Sequence, residues 1–178
     1  MRTRDLVLVG LFTALIAIGA FIKLPIPYLP LTLQVLFVLM AGLMLGKRLG
    51  ALSAAVYLLI GLVGVPIFAN GGGLGYIAQP SFGYLLSYPV AAYLVGAMVE
   101  RRSTMTPLLA AVAGVVGVAI IYLIGAPYLY LIVTQVLGKA LSYQTLVNKY
   151  VIAFLPADLV KVAIAAIVVP PVYNRVKR

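Results

Sequence analysis

The chain has 178 residues, 65% of them hydrophobic and 9% charged, with a mean hydropathy of +1.18. A soluble domain carries about 25% charged residues, so this chain cannot cover a water-facing surface and belongs in a bilayer. Soluble enzymes and nucleic-acid binders are thereby excluded in spite of a net charge of +10. Cysteine and histidine are both absent, which removes disulfides, thiolate nucleophiles, imidazole bases and the commonest zinc sites. Asp5, Glu100 and Asp158 are the only acids, so paired-carboxylate catalysis has almost nothing to work with.

A helix crossing the hydrocarbon core needs roughly 17–25 mostly apolar residues. The first such segment is 6–22. Its small residues Gly10, Ala14, Ala17 and Ala20 form a stripe that allows close helix approach, within the bundle or against another membrane subunit. No small-residue cleavage site follows cleanly, so the segment is expected to be retained rather than removed as a signal peptide. Next comes the loop 23–34, stiffened into an extended path by prolines at 25, 27 and 30. Segment 31–46 is a slightly short span, and 49–69 is a full one. Gly42, Gly46 and Gly50 repeat at four-residue spacing where these two spans meet, again fitting either internal packing or a docking face.

The loop 64–84 is rich in chemistry. Gly71, Gly72, Gly73 and Gly75 allow the backbone to approach a ligand, and Asn70, Gln79 and Ser81, with Gln34 nearby, offer neutral hydrogen-bonding groups. No Gly-Lys-Ser/Thr follows the glycines, so this is not a nucleotide phosphate loop. Segment 82–99 is the fourth span. Tyr84 and Tyr88 share a helical face beside the loop and are pocket candidates, whereas most other tyrosines, Tyr122 among them, fit an interfacial belt. Segment 107–124 is the fifth span. The apolar stretch 127–138 is too short to cross and is expected to lie over the bundle as an interfacial or re-entrant piece.

The sixth span, 150–172, contains the most informative residues. Asp158 and Lys161 are three apart and share a face. Ionisable groups at this depth are costly and ordinarily face a bundle interior, where they mark ligand or ion sites, although an Asp–Lys pair can also simply staple helices. Pro156 fits the first turn of a helix and places Asp158 where the helix dipole favours a carboxylate. Asp158 can accept N–H donors, and Lys161 can donate to a carbonyl or carboxylate.

Charge sets the expected orientation. Arg2, Arg4, Lys47, Arg48, Arg101, Arg102, Arg175, Lys177 and Arg178 make nine of the 13 basic residues, all in one alternating set of loops. The positive-inside rule then places both termini in the cytoplasm and the polar loops outside. Were 127–138 to cross, there would be seven helices and a basic C-terminus outside. The expectation is an all-α membrane protein, a single domain over 1–178 with six transmembrane helices. The positive charge also favours contact with anionic lipid.

Four stretches together resemble the BioY family, the biotin-specific S-components of energy-coupling factor (ECF) transporters. They are Leu-Pro-Ile-Pro-Tyr-Leu-Pro-Leu-Thr-Leu-Gln at 24–34, Gly-Val-Pro-Ile-Phe-Ala-Asn-Gly-Gly-Gly-Leu-Gly at 64–75, Pro-Ser-Phe-Gly-Tyr-Leu at 80–85 and Leu-Pro-Ala-Asp-Leu-Val-Lys at 155–161. The resemblance covers essentially the whole chain. One departure is local: where the family usually has Gly-Pro-Thr-Gly-Gly-Tyr, residues 79–84 read Gln-Pro-Ser-Phe-Gly-Tyr. The resemblance implies an S-component-like bundle that captures biotin with high affinity at its outer face, with the loop 23–34 as a lid. It implies partners too: a transmembrane coupling subunit and two cytoplasmic ATPase subunits, which use the ATP. The chain itself needs no cofactor or metal and is not an enzyme. Gly10 and Ala14, with Ala17 after them, are the nearest match to the family's contact with the coupling subunit.

Biotin's ureido ring has two N–H donors and one carbonyl, which Asp158 and Lys161 complement. Asn70, Gly71, Gly72, Gly73, Tyr84, Gln34 and Ser81 are the further expected contacts, and ring and carboxylate can be exchanged end for end. The alternatives are an S-component for another vitamin or a structural membrane subunit. An intramembrane enzyme lacks the necessary groups. A channel would need a polar stripe through several helices. The expected location is the prokaryotic plasma membrane.

Overall fold

The computed structural model describes residues 2–176; Met1 lies outside the described residues, as do Lys177 and Arg178 of the last basic group. Among the described residues, five helical stretches are long and apolar enough to cross a membrane: Thr3–Phe21, Gln34–Leu62, Phe82–Val99, Pro107–Val136 and Tyr143–Val176. The protein is a multi-pass helical membrane protein.

Helix α1, Thr3–Phe21, buries Val9, Phe12, Thr13, Ile16, Gly19 and Ala20. These residues recur at three- and four-residue steps and so form one face. Leu6, Val7, Leu11 and Ile18 are exposed on the rest of the helix, which suits acyl chains rather than water. After α1 the chain forms a two-stranded ribbon in place of the expected simple extended path. Strand β1, Lys23–Leu24, pairs antiparallel with β2, Leu31–Thr32, in the register Lys23↔Thr32 and Leu24↔Leu31. The three prolines lack backbone donors, so they fall at the tip between the strands, not in the ladder.

Helix α2, Gln34–Leu62, begins three residues later than the expected start at 31, because residues 31–32 are taken by β2. The expected second and third spans are joined in it, with a break at Gly46, whose φ of 78° and ψ of −177° are non-helical. The break is a reversal. Gln34 Nε2 donates to Tyr57 Oη at 2.7 Å, whereas 23 residues of straight helix would separate them by about 34 Å. At Gly50 an added Cβ would sit 2.8 Å from Gly42 Cα, so the two glycines face each other across the hairpin. The glycine stripe is internal packing. The second arm ends at Leu62, not at 69, and a loop containing the short 3-10 turn Leu74–Ala78 leads on.

Helix α3, Phe82–Val99, has the expected limits. Helix α4, Pro107–Leu131, does not stop at 124, and a π turn, Ile132–Val136, extends it. The stretch 127–138 is therefore the end of α4 rather than a separate piece over the bundle. Pro127 removes one helical donor, but packing outweighs the loss. Gly83 and Gly125 leave room for the rings of Tyr128 and Tyr84, and Tyr128 Oη donates to the Ile77 carbonyl at 2.6 Å. The short α5, Tyr143–Val147, and a second π turn, Asn148–Ile152, lead to α6, Leu155–Val176. This last helix starts five residues beyond the expected 150, with Pro156 in its first turn, where a missing N–H costs nothing.

Two ends of the bundle differ in character. At one end Lys47 Nζ lies 3.3 Å from Glu100, Tyr173 donates to the Val99 and Arg102 carbonyls, Asn174 makes two hydrogen bonds with Met105, and Arg4 shares a crevice with Leu45 and Tyr173. The basic loops thus gather together. The ribbon, the loop after α2 and the segment before α6 gather at the opposite end.

Candidate functional site

Asp158 and Lys161 lie in the first two turns of α6 and are 5% and 4% exposed. Lys161 Nζ donates to Asp158 Oδ1 at 2.6 Å, and Tyr122 Oη, on α4, donates to Asp158 Oδ2 at 2.5 Å. Each carboxylate oxygen therefore has one donor and retains a lone pair. The ammonium has three N–H groups, of which Asp158 takes one. A charge buried in lipid surroundings is tolerated only with such a partner.

A cavity of about 30 Å³ adjoins the pair, room for about one or two waters. Its walls are Val35 from α2, Tyr84 and Tyr88 from α3, Ile121 and Tyr122 from α4, Phe154 just before α6, and the pair itself on α6; Leu29 to Thr32, from the ribbon, cover it. Tyr84 Oη is buried without a hydrogen-bond partner among the described residues. A buried hydroxyl left unpaired is uncommon and calls for a cause. Tyr84 and Tyr122 meet edge to face with ring centroids 6.2 Å apart, which fixes both rings against the cavity. The ribbon tip is tied down as well: the Tyr28 ring lies 6.4 Å from that of Tyr150, and Lys139 Nζ sits 5.4 Å from its centroid.

Of the expected contacts, the structure brings Asp158, Lys161 and Tyr84 to one cavity. The others sit in an adjoining cluster that does not line it. Gln34 is buried and bonds Tyr57, which in turn donates to the Ile67 carbonyl, while Thr32 Oγ1 donates to Gln34 Oε1. Ser81 donates to Tyr76 Oη at 3.3 Å, and burial pushes the Tyr76 phenol up from its ordinary value. Asn70 is exposed and accepts from Lys23 Nζ at 3.2 Å; Lys23 also donates to the Ala69 carbonyl. Gly71 pairs with Phe68 through two backbone hydrogen bonds, Gly72 packs on the Val65 carbonyl, and Gly73 N donates to the Gly61 carbonyl at 2.7 Å. Thr32 connects the two groups, because it lines the cavity and bonds Gln34. Gly10 and Ala14 are exposed and Ala17 is half-buried, on the outer surface of α1.

Tyr122 fits an interfacial belt by sequence, yet it belongs to the cavity. The sequence hides this, because the expected span ends at 124, two residues past Tyr122, and only the continuation of α4 to Leu131 takes Tyr122 away from the helix end. The covering residues Leu29, Pro30 and Leu31 carry no chemical signal of their own.

The model of the BioY family matches residues 1–178. The probable biotin transporter BioY of Lysinibacillus sphaericus is 45% identical over 142 residues, 80% of this chain and 72% of that protein. The biotin transporter BioY of Thermotoga maritima is 37% identical over 166 residues, 93% of each chain. Among solved structures, the S-component for biotin from an ECF-type ABC transporter superposes with a TM-score of 0.82 at 23% identity, covering 97% of this chain and 94% of that one. The chain belongs to the BioY family.

Proposed function

We propose that this chain is the biotin-capture subunit, or S-component, of an energy-coupling factor transporter in a prokaryotic plasma membrane. One observation carries the reading: a buried acid–base pair with spare hydrogen-bonding capacity shares its cavity with an unpaired buried hydroxyl, Tyr84. A ureido group supplies what these atoms lack. Asp158 accepts a ureido N–H, Lys161 donates to the ureido carbonyl, and Tyr84 takes a further polar atom. The thioether ring and acid chain then lie along Tyr88, Ile121 and Phe154. The curated relatives named biotin transporters support this ligand.

The cavity of about 30 Å³ is far smaller than the roughly 300–1,000 Å³ of ordinary ligand clefts. Entry of a bicyclic ligand therefore requires the ribbon 23–32 to lift, so the ribbon is the lid. Thr32 and Lys23 join that lid to Gln34 and Asn70, and Gly71, Gly72, Gly73 and Ser81 shape the loop that carries Asn70.

The orientation proposed has six crossings, each arm of α2 counting as one, with both termini cytoplasmic. The gathering of basic residues at one end supports it. Partners would be a transmembrane coupling subunit and two ATPase subunits that use ATP; the chain itself carries out no catalysis and needs no cofactor or metal. The exposed face of Gly10, Ala14 and Ala17 suits a partner helix, because nothing lies within 4 Å of a Cβ built at Gly10.

The test is titration of ligand-stripped protein with biotin and other vitamins, alongside the double variant Asp158→Asn/Lys161→Met. Wild type should select biotin. The variant should lose about 3 kcal/mol, a factor of about 150, while its thermal unfolding in the same detergent stays cooperative. Selection of another vitamin would replace the ligand, and undiminished binding by the double variant would overturn the site.

A further inference from the structure

A second recess lies on the membrane-facing side of α4. Leu123, Ala126 and Leu131 on α4 face Leu146, Val147 and Val151 across an apolar groove of about 670 Å³. Its inner end is the ring of Tyr122, whose hydroxyl turns away to Asp158. Its outer end is Tyr130, which also lines a second, polar recess of about 610 Å³ with Thr134, Lys139 and Ser142. The two recesses therefore meet at Tyr130. An apolar trough opening onto the hydrocarbon of a bilayer fills with acyl chain, because water there would leave its hydrogen bonds unmade.

Charge narrows the occupant. Lys139 is the cation of the polar mouth. None of the chain's three carboxylates faces it: Asp5 accepts from the Arg2 backbone, Glu100 pairs with Lys47, and Asp158 pairs with Lys161. Thr134 and Ser142 already bond the Tyr130 carbonyl and Thr145, so their hydroxyls form a polar rim; the Lys139 ammonium lies over the Tyr28 ring, which leaves its charge without a carboxylate and able to recognise an anion.

We infer that this groove is a binding site for one anionic phospholipid of the surrounding membrane, an acyl chain along α4 and the headgroup phosphate on Lys139. The site rests on the membrane setting and not on which ligand fills the Asp158 cavity, although its Lys139 also faces the Tyr28 ring of the ribbon. Native mass spectrometry of the full chain, titrated with phosphatidylglycerol or phosphatidylcholine of equal chain length, tests it. Wild type should retain one phosphatidylglycerol about fivefold better than phosphatidylcholine. Lys139→Gln should abolish that preference, whereas Lys149→Gln, at a lysine that does not line the mouth, should keep it. Ala119→Phe, which fills the groove from an exposed position on α4, should weaken both lipids. Excess inorganic phosphate should leave the lipid bound. Equal retention of the two lipids, a preference that survives Lys139→Gln, a preference lost in Lys149→Gln, or displacement by phosphate alone would overturn the site. Biotin titration of wild type and Lys149→Gln reports separately on the other cavity, whereas in Lys139→Gln it also reads the loss of the Tyr28 contact.

Discussion

Lys161 carries three N–H groups and Asp158 takes one, so the ammonium enters any complex with two donors still to place. Tyr122 does complementary work: by donating to Asp158 Oδ2 it holds the carboxyl group beside the cavity. On the proposed reading, Tyr84 is the residue whose state depends most on the ligand. Its hydroxyl is buried and unpaired, so Tyr84→Phe should leave the unliganded protein no less stable, with an unchanged or higher unfolding temperature. Biotin affinity should fall about tenfold, the worth of one hydrogen bond of roughly 1.4 kcal/mol. A stability loss without an affinity loss would mean the hydroxyl serves the fold. Asp158 and Lys161 were legible in the sequence because a charge inside an apolar run is too costly to sit there without a partner or a ligand. Gln34 and Ser81 were less so: neutral polar groups fit a ligand or a backbone carbonyl equally well, and only the hydrogen bonds to Tyr57 and Tyr76 separate the two.

The α2 hairpin and the ribbon position this chemistry. Gly46 adopts a backbone conformation open almost only to glycine, yet a Cβ there would meet nothing closer than 3.6 Å. Gly46→Ala should therefore act through backbone strain alone, costing about 1–3 kcal/mol in a denaturant or thermal titration. Gly42→Val acts differently, because its Cβ would lie 2.6 Å from the Ala92 carbonyl on α3. It should lower the unfolding temperature further and impair folded yield. In the ribbon, Tyr28 is held by Tyr150 and by the Lys139 ammonium. Tyr28→Ala should free the lid and raise the biotin dissociation rate about fivefold, for a loss of ~1 kcal/mol of aromatic contact, measurable by stopped-flow chase. Apolar runs located these elements, but their limits depended on features that composition does not carry. A two-residue ladder displaced the start of α2, and ring packing on Gly83 and Gly125 carried α4 through Pro127.

The bundle has a basic end and a polar-loop end, with the buried pair near the latter, directly beneath the ribbon. On the proposed reading, this arrangement suits capture on one side and coupling on the other, with ligand selectivity concentrated in one small cavity. Fold class was readable from hydropathy because the chain has too few charges for any other solvent. Reading the cavity needed coordinates, since its walls come from four helices and its cover from a loop of mostly apolar residues. The most direct measurement is competition binding on the stripped wild-type chain with three ligands: biotin, desthiobiotin, and a carboxylic acid of equal length lacking the ureido ring. With the ureido group gripped by Asp158 and Lys161, desthiobiotin should bind within about tenfold of biotin. The acid without the ring should bind at least about a thousandfold more weakly, as buried polar groups left unpaired cost several kcal/mol. Comparable affinity for all three would contradict that grip.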